Sequence, residues 1–239
     1  MKSILITLLF ISTGAFSQVD QINNLQDVFT LKNDVDARYN RQNDPSIKGS
    51  PFIHSEYQNI KIKGVAMKGR YNANLDYIEV DNKGEVIFFV PTMQHRYDVV
   101  FTDENTTYRA FEYENLKFGF YKILAKKDKA FLLSKQFIKF SDKVKPKSNF
   151  EIAKPAKFER KKDTYFIKLS DQDIVIELPT RKSKFLKVFK SKANTIKNFI
   201  KKERLGIKKE EDLIKIFNFY IKFNRSFGHI YITKKIVNI

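Results

Sequence analysis

Histidine, the side chain that most often binds a metal or moves a proton near neutral pH, is scarce in this sequence. The three histidines, His54, His95 and His229, lie far apart, and none has a second histidine within four positions. A metal-binding helix repeats its ligands on one face, as in the H-E-x-x-H motif, and this sequence contains no such repeat. The sequence also has no cysteine, which excludes thiolate zinc sites, disulfides and a thiol nucleophile. We therefore predict no metal and no other cofactor.

Motifs that hold a catalytic serine or a phosphate are missing as well. The sequence contains no G-x-S-x-G nucleophile elbow, no S-x-x-K motif with its partners and no glycine-rich phosphate loop, and it has only eight glycines. Ser134-Lys135 and Ser183-Lys184 are adjacent pairs in lysine-rich surroundings and by themselves predict no chemistry. The leading prediction is thus a protein without enzymatic activity.

Three carboxylates near the first predicted strands keep one enzymatic alternative open. Glu56, Asp76 and Glu79 could supply the carboxylate pair of a glycoside hydrolase, because that reaction depends on spatial separation rather than on sequence spacing. Asp76, however, falls on the polar side of an alternating pattern, as a solvated residue would. The sequence also has no tryptophan to stack on a sugar, although 11 tyrosines could partly replace it. A hydrolase of envelope glycans is therefore the alternative function.

The charged residues are distributed unevenly along the chain. Residues 18–118 contain 12 lysines and arginines against 15 aspartates and glutamates, whereas residues 119–239 contain 32 against 12. A mutational bias of the genome would act on both halves, so the asymmetry belongs to this protein. A strongly basic half attracts polyanions through its long-range field. This pattern predicts contact with an anionic envelope component or an acidic protein, while a solvated surface that keeps the protein soluble is the simpler explanation.

The candidate contact residues are lysines that follow Pro179. Lysine exceeds arginine by 36 to 9, which favours solvated point charges over bidentate reading of bases, so specific nucleic-acid binding is not expected. The predicted contact is collective and electrostatic. Its members are Lys182, Lys184, Lys187, Lys190, Lys197, Lys201, Lys202, Lys208 and Lys209.

Aromatic residues suggest a third function. The sequence has 23 phenylalanines, and an antiparallel roll lined with them could hold an acyl chain, as small barrels hold apolar ligands. An apolar-ligand carrier is therefore a further alternative. The competing explanation is that most of these rings pack the core.

The first 17 residues have the three parts of a secretory signal peptide. Lys2 gives a positive charge, an apolar run extends from Ile4 to Phe16, and Ala15 and Ser17 precede a cleavage site before Gln18. A transmembrane anchor would need about 20 apolar residues, more than this run has. We expect an exported protein, periplasmic or extracellular, either free or peripheral to the outer membrane, with no transmembrane segment after cleavage.

The rest of the chain predicts an α+β fold. Residues 18–46 form an N-terminal helix, over Asp20–Leu31, and a connector; residues 47–178 form an antiparallel β roll or sandwich. Alternation predicts strands around 60–63, over 71–77, 97–101, 107–113, 118–125 and 130–140. Two hairpins are predicted, with turns at 81–84 and 170–173. Residues 141–162, rich in lysine and proline, are read as a surface strap.

Two or three amphipathic helices are predicted in residues 179–239, packed on the β domain. Apolar residues recur every three or four positions from Phe185 to Ile200, and Gly206 is a natural stop. Glu210, Glu211 and Asp212 suit a helix N-terminus. A strand over 213–223 is the alternative, because its aromatic residues also alternate. The acidic start favours the helix.

Four segments of the chain carry a resemblance. The block Gly49-Ser50-Pro51-Phe52, the strand Arg70-Tyr71-Asn72, the segment Ala153-Lys154-Pro155-Ala156 and the lysine-rich stretch from Lys197 to Tyr220 resemble a family of exported bacterial proteins of unassigned function. Those proteins share a signal peptide, a GSPYL-like block, a β-rich middle and lysine-rich C-terminal helices. Phe52 and Ile53 stand where the family often has Tyr and Leu. The resemblance implies export and fold, and it implies no chemistry.

Overall fold

A computed structural model describes residues 44–82, 84–94, 96–144 and 154–236, and over 224–236 it describes the backbone alone. The predicted signal peptide and the predicted helix over Asp20–Leu31 lie outside the described residues. Both remain predictions.

The described chain is mostly antiparallel β structure followed by helices. Its strands are β1 (Gln58–Ile62), β2 (Val65–Asn72), β3 (Tyr77–Asn82), β4 (Glu85–Phe89), β5 (Val99–Phe101), β6 (Thr106–Glu114), β7 (Lys117–Lys127), β8 (Ala130–Lys135), β9 (Ile138–Ser141), β10 (Lys157–Arg160), β11 (Thr164–Lys168) and β12 (Ile176–Glu177). The helices are α1 (Lys182–Lys187), a 3₁₀ turn at Lys190–Lys192, α2 (Ala193–Lys202) and α3 (Glu210–Ile236). The sequence-based prediction of antiparallel sheet with helices at the C-terminal end is confirmed.

Ten strands form one sheet in the order β12-β11-β8-β7-β6-β5-β1-β2-β3-β4, with all neighbours antiparallel. Alternation explains the first strand: Ile60 and Ile62 are buried, while Lys61 between them is exposed. The predicted hairpin after β3 is present. In its turn, Gly84, with φ of 92°, donates its N–H to Asp81 Oδ1 over 2.7 Å.

The sheet curls so that β4, at one edge, returns to β7. In a flat sheet these strands would lie about 29 Å apart, six spacings of about 4.8 Å. Instead the ring centroids of Phe89 on β4 and Phe120 on β7 are 5.4 Å apart. Tyr71 and Tyr108 also pack inside the roll, with centroids 4.9 Å apart. β9 and β10 form a separate two-stranded sheet that contributes Ile138 and Phe158 to this core.

The predicted strand over 71–77 is wrong. β2 ends at Asn72 and β3 begins at Tyr77, and the residues between them form a turn. Asn72 Oδ1 accepts the backbone N–H groups of Asn74 and Leu75, at 3.0 and 2.9 Å, which stabilises that turn. Because polar and apolar residues also alternate through the turn, the sequence pattern resembled one continuous strand.

The predicted strap over 141–162 is wrong in part. Residues 145–153 lie outside the described residues, but Lys157–Arg160 form β10, which pairs with β9. Phe158 is buried in the roll, so this segment belongs to the core. One buried ring among charged residues was too weak a pattern to predict a strand.

The last helix confirms the predicted helix over 213–223, and the alternative of a strand there is wrong. Leu213, Ile216, Phe217 and Tyr220 are buried at the i, i+3, i+4 and i+7 positions of α3. The predicted polar stripe of this helix is exposed, and it consists of Lys215, Asn218 and Lys222. The apolar stripe packs against β7 and β8, in a second core that also contains Phe185, Phe189, Ile196 and Ile200 from the preceding helices.

Gly206 does not end α2, although the sequence predicts it as a stop. The helix ends at Lys202, and Arg204 takes the left-handed conformation after it, with φ of 54°. The N–H of Leu205 then donates to the carbonyl of Ile200 over 3.0 Å. Gly206 instead donates its N–H to Asp212 Oδ2, 2.8 Å away, in the first turn of α3.

Candidate functional site

The lysines predicted to contact a partner lie on α1, on α2 and in the segments that follow these helices. All nine are exposed, while Phe185 of α1 and Ile196 and Ile200 of α2 are buried on the opposite sides. Residues 179–209 contain 12 lysines and arginines and a single carboxylate, Glu203. The helices are thus held by an apolar face, and their outer face is almost purely cationic.

Carboxylates neutralise few of these charges. Lys190 Nζ donates to Asp171 Oδ2 over 2.8 Å; this hydrogen bond raises the pKa of the lysine and lowers the pKa of the carboxyl. Lys202 Nζ lies 3.9 Å from Glu203 Oε1. Within the described part of the chain, the remaining members have no carboxylate within ion-pair distance: Lys182, Lys184, Lys187, Lys197, Lys201, Lys208 and Lys209.

Part of this lysine pattern also stabilises the helices. Lys184 and Lys187 lie in the last turn of α1, and Lys201 and Lys202 lie in the last turn of α2. Cations there compensate the negative end of the helix dipole by about 0.3–1 kcal/mol each. The dipole does not account for Lys208 and Lys209, which immediately precede α3 and face its positive end.

A concavity of about 280 Å³ opens within this basic region. Its lining includes Lys190, Ser191, Lys192 and Asp171. The rings of Phe189 and Tyr220, 5.2 Å apart between centroids, also line it. An anionic group entering here would meet two lysines and a serine hydroxyl, and it would compete with Asp171 for Lys190.

The carboxylates proposed for a hydrolase are not brought together. Glu79 is completely buried, and its Oε1 accepts hydrogen bonds from Tyr57 and from Arg70 Nη2, the latter over 2.7 Å. Arg70 in turn packs over the ring of Phe52, with its guanidinium carbon 3.8 Å from the centroid. Glu79 is therefore held in an ion pair beneath the N-terminal segment. Glu56 is exposed on that segment.

Asp76 is not the solvated residue that the sequence pattern predicts. Its Oδ2 lies 2.6 Å from Lys135 Nζ, and its Oδ1 accepts from the Tyr71 hydroxyl over 2.7 Å. Burial lowers the pKa of Lys135, although Asp76 opposes this effect, and burial together with Asp76 raises the pKa of Tyr71. Asp76 and Glu79 share none of these partners, so the structure shows no carboxylate pair there.

Lys135 is the ionisable residue that sequence reasoning missed. In the sequence it is one half of the Ser134-Lys135 pair, which by itself predicts no chemistry. It lies on the same face of β8 as Phe131 and Leu133, which are both buried, and this period-two spacing was the available signal. Its side chain is only 22% exposed.

The histidines do not form a site in the described chain. His54 Nε2 lies 2.8 Å from Glu104 Oε1 at the surface, whereas His95 and the side chain of His229 lie outside the described residues. Among the residues that the structure describes, no three His, Asp or Glu side chains are grouped to hold a metal ion.

The interior of the roll is filled by rings that contact one another. The Phe101 and Tyr108 centroids are 5.3 Å apart, and Tyr71 meets Phe120 edge-on at 6.4 Å. Phe120 is fully buried, and Tyr71 and Phe101 are at most 3% exposed. These contacts favour core packing over an acyl-chain site. In the described part of the chain, no helix combines the length and the apolar character that crossing a bilayer requires.

No protein-family model matches the chain, and comparison with curated proteins and with solved structures found no match either. The resemblance to a family of exported proteins therefore remains a prediction from the residues that carry it.

Proposed function

We propose that this is an exported, non-enzymatic binding protein whose basic C-terminal half contacts an anionic partner in the cell envelope or an acidic protein. The observation that carries the proposal is the outer face of α1 and α2, where exposed lysines lack carboxylate partners within the described chain. Unpaired cations on two helices in contact add their fields, and the resulting potential extends over about a Debye length, roughly 8 Å at physiological salt.

The way in which the lysines are mounted supports this function. Phe185, Phe189, Ile196 and Ile200 hold the helices to the sheet by burial, so the lysines need not contribute to packing. A partner with several negative charges could then engage them without unfolding any element. Lysine point charges suit a diffuse anionic surface, such as lipid head groups or acidic glycans, better than a single bidentate contact.

Binding of the mature chain from Gln18 to vesicles with anionic phospholipid, and to an acidic polysaccharide, tests the proposal. The test variant replaces Lys182, Lys184, Lys187, Lys197 and Lys201 by glutamine. A matched control removes the same number of charges elsewhere, at the exposed residues Lys127, Lys129, Lys139, Lys143 and Lys154. Circular dichroism establishes that both variants are folded.

The helix variant should bind at least about tenfold more weakly at low salt, because a lysine near an anionic surface contributes about 1 kcal/mol. The control variant should lose much less, and wild-type affinity should fall steeply between about 20 and 300 mM salt. Equal losses in the two variants, or binding independent of salt, would contradict a lysine face on these helices.

A further inference from the structure

A second basic concavity lies on the sheet, among residues of the acidic half. Its volume is about 410 Å³, and Lys61, Lys63, Arg96 and Arg109 line it together with Tyr97. We propose that this concavity is a binding site for a small organic oxyanion, a phosphate or sulfate ester, distinct from the lysine face of the helices.

Strand register brings three of the lining residues to one face of the sheet. Lys61 on β1 pairs with Val100 on β5, and β5 pairs with β6, which carries Arg109. Lys61 alternates with buried isoleucines, and Arg109 lies between the buried residues Tyr108 and Ala110. Both cations therefore project from the outer face of the roll, away from its core.

The turn after β1 and the segment before β5 supply the other cations. Lys63, with φ of 50°, and Gly64, with φ of 84°, form the turn between β1 and β2. Lys63 Nζ lies 4.0 Å from the ring centroid of Tyr97. That contact places Tyr97 at the wall of the concavity, with Arg96 beside it.

The lining has a surplus of positive charge. Among the described residues of the lining, Asp98 is the only carboxylate, and it is paired with Arg109 Nε at 2.6 Å. Arg96 Nη2 lies 3.8 Å from Glu112 Oε2, which makes a weak ion pair, and the Arg96 side chain is 57% exposed. Lys61 has no carboxylate at ion-pair distance in the described chain. Residues 18–118 carry a net charge of −3, so four cations grouped in one concavity are a local positive charge within an otherwise acidic half of the chain.

The two arginines indicate the chemistry of the ligand. A planar guanidinium presents parallel N–H donors that match two oxygens of a phosphate or sulfate group. The ring of Tyr97 and the side chain of Val100 add an apolar wall for the organic part of an ester. A concavity of about 410 Å³ falls within the range of roughly 300–1,000 Å³ that is common for small-molecule sites. It admits a ligand of sugar size.

Calorimetric titration of the mature chain with a sugar phosphate, a sulfated sugar, the neutral sugar and inorganic phosphate tests the site. The ester should bind saturably, and the neutral sugar should not bind. In the variant K61Q/R96Q the ester affinity should fall at least about tenfold, because each lost hydrogen bond to a charged group matters severalfold. The control K48Q/K68Q, which removes two exposed lysines outside the lining, should bind as the wild type does.

Three outcomes would overturn the inference. One is the absence of saturable ester binding, and the second is an equal loss of affinity in the control variant. The third is equal affinity for inorganic phosphate and the ester, since Tyr97 and Val100 would then contribute nothing. The helix variant with five glutamines should retain full ester affinity, which separates this site from the proposed lysine face.

Discussion

At the scale of single residues, the Asp76–Lys135 ion pair closes the roll. Asp76 lies in the turn between β2 and β3 with φ of 60°, and Lys135 ends β8. Lys135 Nζ also donates to the carbonyl of Phe120 over 2.8 Å. Gly119 leaves room for the pair, because a Cβ there would lie 3.0 Å from Asp76 Oδ2 and 3.1 Å from Lys135 Nζ. The pair thereby ties the hairpin turn to β7 and β8.

Removing either member of this pair should destabilise the fold, and removing both should cost less than the two single losses together. We expect K135M and D76N each to lower the free energy of unfolding by about 2 kcal/mol, less than for a fully buried pair because the side chains are 22% and 28% exposed. Each single variant leaves one partly buried polar group without its partner. In D76N/K135M the loss should be smaller than the sum of the single losses.

Urea unfolding, followed by circular dichroism, measures these changes. K139M is the control, since Lys139 is exposed on β9, and its stability should stay within about 0.5 kcal/mol of the wild type. Additive losses in the double variant would show that Asp76 and Lys135 act independently, which the 2.6 Å contact argues against.

At the scale of elements, sequence periodicity predicted most of the strands and the amphipathic stripe of α3. It succeeded where one face of an element is buried and the other is wet, as for Ile60 and Ile62 on β1. It failed at 71–77, where a turn stabilised by Asn72 alternates as a strand does, and at β10, whose single buried ring is Phe158. Asp76 and Lys135 are 59 residues apart, so no local pattern could show their pairing.

The candidate lysines were visible in the sequence because exposure and charge are local properties of a helix face. The concavity around Tyr97 was not visible, because β1 and β6 meet there only through β5. Its four cations come from three separate segments, around residues 61–63, 96 and 109, and each segment appears ordinary alone. Sites assembled by sheet topology therefore require the fold.

The end of α2 offers a prediction about local conformation. Arg204 has φ of 54°, a region that costs a side chain about 1 kcal/mol and that glycine enters freely. Arg204 is exposed, so R204G should increase the free energy of unfolding by about 0.5–1 kcal/mol. Replacing the exposed Lys197 by glycine, in the middle of α2, should instead lower it by about 1 kcal/mol. Chemical denaturation measures both, and a loss of stability in R204G would contradict the left-handed cap.

At the scale of the whole molecule, the curled sheet separates two kinds of basic surface. The helices that pack on β7 and β8 present lysines over an extended face, whereas β1, β5 and β6 present arginines and lysines around a concavity. The first arrangement suits a diffuse anionic surface, and the second suits a discrete oxyanion. The two surfaces share no residue, so each can be removed without altering the other.

The accumulation of like charge should also set the response of stability to salt. With 12 cations against one carboxylate in residues 179–209, repulsion opposes folding at low ionic strength, and screening relieves it as the Debye length falls from about 30 Å at 10 mM to about 8 Å at 150 mM. We expect Tm to rise over this range by about 2–4 °C, equivalent to roughly 1 kcal/mol. The rise should shrink in the helix variant with five glutamines more than in its matched control, because the helix lysines have the most like-charged neighbours along the chain. Calorimetry at both salt concentrations measures this, and a Tm that falls with salt would mean that attractive ion pairs outweigh the lysine repulsion.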